Sequence, residues 1–267
     1  MTLRPLTLYI CLLAAIGCSS VPAGNMNAPA AIAVIAGTAP ESPYTPYPEE
    51  LAKLITALNR ENPAIVVHLG NIIYAGNTQG LREEDIEKQI AGRKAFFDRL
   101  VPVCEYTAGE LDRFRGSLSF FERATGKPAF HSFHYGSVFF LSIDSEENGT
   151  GIISEAQAGR IEDELDRNRD CAAAVILSYR PFFLRKDFAG YAATVRGADR
   201  FHALFRKYNV RAVISAAGDA SSRVDLDSIA YINAGCVPMH RRDAYDRYRY
   251  HIISILNNAV TSAGRRL

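Results

Sequence analysis

Short β-branched runs alternate with helical patterns from Ala31 onward, and this alternation limits the chain to an α/β fold. Strands are predicted over residues 32–35, 64–69, 173–178, 210–215 and 229–233, and helices over 48–60, 83–99, 154–169 and 199–208. A hairpin is predicted over 129–144 with its turn at Gly136-Ser137, and another from 250 to 256 that returns after Asn257-Asn258. Because no internal repeat or linker follows residue 30, we expect one domain over residues 31–267.

The net charge of the chain does not predict a charged polymer as a partner. Thirty Lys and Arg against 29 Asp and Glu leave a formal net charge of +1. Such a balance creates no strong field at long range, so nucleic acid is not expected as a partner. Partners must therefore be inferred from local features.

The N-terminus has the pattern of an export signal. Arg4 precedes an apolar run over residues 6–16, which is shorter than the roughly 20 residues of a spanning helix. The run ends in Ala15-Ile16-Gly17-Cys18, which resembles the lipobox of bacterial lipoproteins. We therefore expect a signal peptide over 1–17, a lipidated Cys18 that attaches the protein to a membrane, and a flexible tether over 18–30.

The resemblance places the protein in the bacterial cell envelope. Ser19 follows the cysteine where an Asp would indicate retention in the inner membrane, which favours the outer membrane facing the periplasm. The alternative is a secreted protein without the lipid. Cleavage before Cys18 would leave Cys104, Cys171 and Cys236, an odd number that allows one internal disulfide at most. A domain of this length favours burial of these cysteines in the core over a structural disulfide.

Five segments in order resemble the calcineurin-like metallophosphoesterase family, which includes the purple acid phosphatases. They are a glycine-containing strand end (69–76), a Ser-Phe-His-Tyr-Gly hairpin (131–145), a segment with a turn before Pro181 (176–183), a loop (213–221) and the strand after that loop (231–235). The resemblance covers about residues 31–260. It implies a four-layer α/β/β/α sandwich.

The family hydrolyses phosphoesters with two metal ions, which activate a bridging water. At the positions where the resemblance places the first metal ligands, this chain has Gly37 and Ala39, with Asn71 in place of the bridging aspartate. Glycine and alanine have no ligating side chain, and a neutral amide is a weaker ligand than a carboxylate. The first half of the two-metal site is therefore expected to be lost.

The later ligand positions are altered in the same way. The family's Gly-Asn-His-Asp turn falls on residues 109–112, which places Glu110 at the metal-binding Asn and Leu111 at the histidine that assists the leaving group. The histidine before proline falls on Tyr179, and the final pair falls on Ala217 and Asp219. No histidine ligand of the family is present at these positions, so no cofactor is expected.

A rebuilt site is the alternative interpretation. Asn71, Glu110 and Asp219, together with Tyr179, offer oxygen ligands for one weakly bound Mg²⁺ or Ca²⁺. Such an ion would activate water less than a two-metal bridge does. The competing interpretation is that these side chains form hydrogen bonds to strand ends and loop amides, and it is favoured.

The histidines and the strand end at 178 suggest no other catalytic site. The spacing of the six histidines is not that of metal ligands, and structural roles are expected for His68, His131, His134, His202, His240 and His251. His68 should point to the face opposite Asn71, and His131 and His134 should face opposite sides. Ser178 lies where a nucleophile could sit, but the spacing assigns it no base.

One segment has the composition of a binding surface. Residues 241–250 interleave arginine with tyrosine from Arg241 to Tyr250, as protein interfaces often do. A protein, a glycan or an anionic ligand would fit it, and a solvated charged loop is the alternative.

Three functions follow from these observations. The first is a binding or scaffolding lipoprotein with a phosphoesterase-like fold and no two-metal site. The second is a divergent metal-dependent phosphoesterase, and the third is a purely structural role.

Overall fold

A computed structural model describes residues 30–76, 78–186, 193–218, 220–235, 249–256 and 259–267 of the chain. The predicted signal peptide and lipidated Cys18 lie outside these ranges, as do Asp219, Cys236, His240 and residues 241–248. The predictions made for them remain predictions.

The strands form two mixed sheets. The first has the strand order β11-β10-β1-β2-β3, and its strands are β1 (Ala30–Ile35), β2 (Ile65–Leu69), β3 (Cys104–Thr107), β10 (Arg249–Leu256) and β11 (Ala259–Arg266). The second has the order β4-β5-β6-β7-β9-β8, and its strands are β4 (His131–Tyr135), β5 (Val138–Ser142), β6 (Ala173–Leu177), β7 (Val210–Ser215), β8 (Ser222–Leu226) and β9 (Ile229–Asn233).

The helices cover the outer faces of the sheets. They are α1 (Glu50–Glu61), α2 (Glu83–Phe97), α3 (Ser119–Thr125), α4 (Glu155–Arg167) and α5 (Ala198–Lys207). One apolar cluster contains residues of both sheets, including Val67 and Val175, while others join α1 to the first sheet and α4 and α5 to the second. The predicted α/β/β/α sandwich is confirmed. Within the described ranges, no helix combines the length and apolarity needed to cross a bilayer.

Most predicted elements are confirmed within a few residues. Tyr135 pairs with Val138 across the predicted Gly136-Ser137 turn, and β10 pairs with β11 along eight residues. The hydroxyl of Ser154 accepts a hydrogen bond from the Gln157 backbone N–H and begins α4 as the capping pattern predicts. The elements β3, α3 and β8 were not predicted from the sequence, because they are short and their apolar residues show weak periodicity.

The parallel strands place their carboxyl ends at one edge of each sheet. β1, β2 and β3 run parallel, and so do β5, β6, β7 and β9. Loops from both sheets therefore meet at one end of the sandwich. This is where open α/β sheets carry their functional groups.

Candidate functional site

The loop after β1 is held against the end of β2 by its backbone. The Gly37 N–H donates to the Gly70 carbonyl at 2.9 Å, and the Ala39 N–H donates to the Asn71 carbonyl at 2.8 Å. Thr38 turns inward, and its hydroxyl lies 2.8 Å from Nε2 of His68. Gly37 and Ala39 therefore serve as a backbone clamp and offer no side-chain ligand.

The end of β2 is a tight turn in which Asn71 adopts a left-handed conformation. Its φ is 56°, that of Gly70 is 89°, and a side chain on Gly109 would begin 2.4 Å from Asn71 Oδ1. The amide of Asn71 is satisfied at both ends. Its Oδ1 accepts from the Leu111 N–H at 3.0 Å, and its Nδ2 donates to the Tyr179 hydroxyl at 2.9 Å.

Asp112 stabilises this turn through hydrogen bonds to its backbone. Its fully buried carboxylate accepts four backbone N–H groups, from Asn71, Ile72, Ile73 and Gly109, at 2.7 to 3.0 Å. Burial raises the pKa of Asp112 to about 6, and the four donors oppose this rise. The carboxylate thus joins the end of β2 to the turn that follows β3.

Glu110, two residues earlier, belongs to a charged network instead. Its carboxylate accepts from the Tyr179 hydroxyl at 3.1 Å and from the Arg180 guanidinium. Nε of Arg180 also donates to Glu146 at 2.6 Å. The side chains of Arg180 and Glu146 are almost fully buried, whereas that of Glu110 is 46% exposed.

The network keeps Arg180 charged. Burial by itself would lower the pKa of Arg180, but the hydrogen bond and charge of Glu146 outweigh it and hold the pKa above its ordinary value. Burial raises the pKa of Glu146, although Arg180 opposes this shift. A fixed positive charge therefore lies beside Glu110.

The loop after β7 closes the same edge with backbone contacts. The N–H groups of Ala216 and Ala217 both donate to the Tyr179 carbonyl, at 3.2 and 3.0 Å. Nδ2 of Asn233 donates to the Ala217 carbonyl at 2.9 Å. Ala217 is fully buried and contributes no polar side chain, and Asp219 lies outside the described residues.

The structure therefore brings Asn71, Glu110 and Tyr179 together, three of the four residues of the rebuilt-site alternative, but their donor set does not fit a two-metal centre. Both amide atoms of Asn71 are engaged, and Glu110 faces a guanidinium. A divalent ion at Glu110 would have to displace Arg180 or sit beside its charge. In the described part of the chain, no three His, Cys, Asp or Glu side chains are grouped to hold a metal ion.

The histidines of the described residues have structural partners. His68 is fully buried against Phe97 and Tyr106, and burial lowers its pKa to about 3. The other contacts pair His131 with Glu105, His134 with Cys171, and His202 with both Tyr231 and Asp227; His251 is buried in β10.

Ser178 and the two cysteines within the described ranges offer no activated nucleophile. The buried hydroxyl of Ser178 donates to the Arg180 carbonyl. Cys104 and Cys171 are free thiols, and burial raises the pKa of both. Both thiols are only partly buried, so the predicted burial in the core is confirmed only in part for them.

Three residues of this site were not predicted from sequence. Arg180, Glu146 and Asp112 carry its charges together with Glu110. Arg180 directly follows Tyr179 at a strand end, and Asp112 ends the turn over 109–112 that the resemblance identifies. Glu146 lies among other acids of its loop. Spacing did not distinguish it from them.

Solved structures that share this architecture include two phosphatases. A dimetal phosphatase from Danio rerio aligns with a TM-score of 0.64 at 13% identity, covering 88% of this chain and 99% of that one. Purple acid phosphatase PPD1 from yellow lupin (Lupinus luteus) aligns with a TM-score of 0.63 at 13% identity. That match covers 90% of this chain but 52% of the lupin chain, so this chain spans about half of it.

The fold is that of the calcineurin-like metallophosphoesterases. The same fold occurs in GAP50, which is described as the anchor in the inner membrane complex of Plasmodium. GAP50 aligns with a TM-score of 0.60 at 11% identity, covering 89% of this chain and 84% of its own. No family model matches the sequence, and no curated protein matches it either. At these identities the likeness establishes the fold alone.

Proposed function

We propose that this protein is a non-catalytic binding or scaffolding protein built on the phosphoesterase fold. The observation that supports this most strongly is the buried Arg180 guanidinium, which pairs with Glu110 and Glu146 at the strand ends. Two-metal catalysis requires several anionic or imidazole ligands around the ions. In this protein the guanidinium of Arg180 lies next to Glu110, where a metal ion would need anionic or imidazole ligands.

The rest of the strand-end geometry supports the same proposal. Residues 37–39 and 216–217 are fixed by backbone hydrogen bonds and present no ligating side chain besides the inward hydroxyl of Thr38. Clustered unpaired carboxylates would repel one another without metal ions, whereas here the Arg180 guanidinium lies between Glu110 and Glu146 and offsets their repulsion. The arrangement therefore favours a stable, rigid end of the sandwich over hydrolysis.

A related architecture in another protein has an anchoring role. GAP50 is described as an anchor in a membrane complex. This likeness supports scaffolding as a role that the fold can take, although fold does not by itself determine function.

We also propose attachment of the protein to the bacterial envelope through a lipid on Cys18, with residues 241–250 as a surface for a protein, glycan or anionic ligand. Metabolic labelling with a tagged fatty acid tests the anchor: the wild type should carry the label and fractionate with membranes. The Cys18→Ser variant should lose both properties. Labelling of that variant would contradict the proposal.

The non-catalytic role is tested with the soluble domain from Ser19 onward. Metal content is measured by mass spectrometry, and phosphomonoester and phosphodiester hydrolysis is assayed with added Mn²⁺, Zn²⁺ and Mg²⁺. We expect substoichiometric metal and the same background rate for the wild type and the matched Glu110→Gln variant. Stoichiometric metal with turnover that falls in Glu110→Gln would overturn the proposal in favour of a divergent hydrolase.

A further inference from the structure

A cavity is bordered by Gly76, in the segment that follows the end of β2. The cavity has a volume of about 400 Å³, within the range of small-ligand pockets. The closest atom to a side chain built on Gly76 would be Cδ2 of Leu111, at 3.2 Å. The cavity is lined by Gly76, Thr78, Gly80, Leu81, Arg82, Phe114 and Arg115.

The chemistry of this lining is cationic. Arg82 and Arg115 contribute two guanidinium groups, Thr78 contributes a hydroxyl, and no acidic residue is among the described residues that line the cavity. Arg82 also contacts two acids: its Nε and Nη2 donate to the nearly buried carboxylate of Asp85 at 3.4 Å, and its Nη1 lies 3.4 Å from Glu84. These contacts are long and the Arg82 side chain is 66% exposed, so an oxyanion in the cavity can compete for its guanidinium.

Arg115 occupies an unusual backbone conformation at the edge of the cavity. Phe114 and Ser117 exchange two backbone hydrogen bonds of 2.9 Å, which leaves Arg115 and Gly116 as a two-residue hairpin turn. Both have positive φ, 51° for Arg115 and 83° for Gly116. Such turns favour Asn, Asp or Gly, because these residues tolerate positive φ. Arginine rarely adopts this left-handed conformation, so the backbone of Arg115 is strained.

The side chain of Arg115 packs against an aromatic ring. Its guanidinium lies 4.8 Å from the centre of the Phe114 ring, and within the described part of the chain it forms no ion pair. Strained positions of this kind often mark binding sites. An exposed cation fixed over an aromatic ring suits recognition of an oxyanion.

We propose that this cavity binds a phosphate or sulfate monoester group through Arg82 and Arg115. Thr78 lines the same cavity and has a hydroxyl that can donate a further hydrogen bond. Gly80 leaves open space, since no atom lies within 4 Å of a side chain built on it. Guanidinium groups match the geometry of such oxyanions and bind them in pairs of hydrogen bonds. This site does not depend on the proposed loss of catalysis, because it uses none of the strand-end residues.

The test measures binding of inorganic phosphate to the soluble domain by calorimetry, with chloride at equal ionic strength as the reference. Arg115→Asn keeps the turn, because Asn tolerates positive φ, and removes the cation. We expect its Kd for phosphate to rise at least about tenfold. Arg82→Gln should act in the same direction. The matched control, Arg169→Asn, removes an exposed arginine paired with Asp166 and should leave the Kd unchanged.

Two further measurements locate the site and identify the source of the ligand. Amide NMR shifts on phosphate addition should concentrate at Gly76, Gly80 and Gly116. Vesicles of phosphatidylcholine with and without phosphatidic acid distinguish a lipid headgroup from a soluble phosphate ester. The proposal is wrong if phosphate does not bind, or if Arg115→Asn and Arg169→Asn bind it equally well.

Discussion

Glu110 and Asp112 belong to one short turn, yet the two carboxylates serve different parts of the molecule. Asp112 is fully buried and holds four backbone N–H groups of the strand end. Glu110 is half-exposed and holds the side chains of Tyr179 and Arg180. The comparison separates a carboxylate that fixes the shape of the site from one that sets its charge.

The difference shows that shape and chemistry are independent at this edge of the sandwich. The Asp112 contacts keep Gly70 and Asn71 in the tight turn that this end of the fold presents. The charged network could change without disturbing that turn, since its contacts are between side chains. A phosphoesterase fold can therefore persist where its metal chemistry does not fit.

The largest effect should come from Asp112→Ala. We expect it to lower the free energy of unfolding by at least about 4 kcal/mol, because four buried N–H groups lose their acceptor. Urea unfolding with a constant m-value measures the change. Asp112→Asn keeps one carbonyl oxygen and should cost less. A loss of stability no larger than that of Glu110→Ala would remove the distinction between the two carboxylates.

Arg180→Met should cost about 3 kcal/mol, because it leaves Glu146 buried without a charged partner. Thermal and urea unfolding of the purified domain measure this. Adding Glu146→Leu should recover most of the loss, since a buried ion pair can be replaced by apolar side chains. Glu110→Gln should cost less than about 1 kcal/mol because its carboxylate is half-exposed. If Glu110→Gln lowered the free energy of unfolding as much as Arg180→Met does, Glu146 would not be the main partner of Arg180.

His68 should make the domain sensitive to acid. Burial lowers its pKa from 6.5 to about 3, so the unfolded chain takes up a proton at a higher pH than the folded protein does. The stability from its neutral burial is complete above pH 6.5 and is lost as pH falls toward 3. At pH 5 the loss is about 2 kcal/mol.

The measurement compares unfolding at pH 7.5 and pH 5 for the wild type and His68→Leu. Other titrating groups contribute to both proteins, so the difference isolates His68. We expect the variant to lose about 2 kcal/mol less between the two pH values. An identical pH dependence, or a His68 ring that titrates above pH 5 by NMR, would refute the prediction.

Tyr179→Phe should have a small effect, about 1 kcal/mol, because it removes one hydroxyl shared by Asn71 and Glu110. Urea unfolding measures it, and Tyr44→Phe on the exposed surface is the control. A Tyr179→Phe cost equal to that of the control would show that the hydroxyl does not couple the two side chains.

Sequence patterns predicted the elements whose apolar residues face one core. The runs at 65–69 and 173–177 are buried at every position, which is why their strands were identified from sequence. The strand β3 was missed because four residues with a polar Glu105 give too little pattern. At the site, the absence of ligating side chains at Gly37, Ala39 and Ala217 was visible in the sequence, since those residue types have none.

The sequence by itself determined the layered α/β architecture, since strand and helix periodicities alternate along the chain. Only the tertiary structure decided that Arg180 lies between Glu146 and Glu110, which are 34 and 70 residues away in sequence. Local periodicity shows which face of an element is buried, but loop side chains meet only after both sheets have packed. Charge pairing at the strand ends is therefore a property of the assembled sandwich.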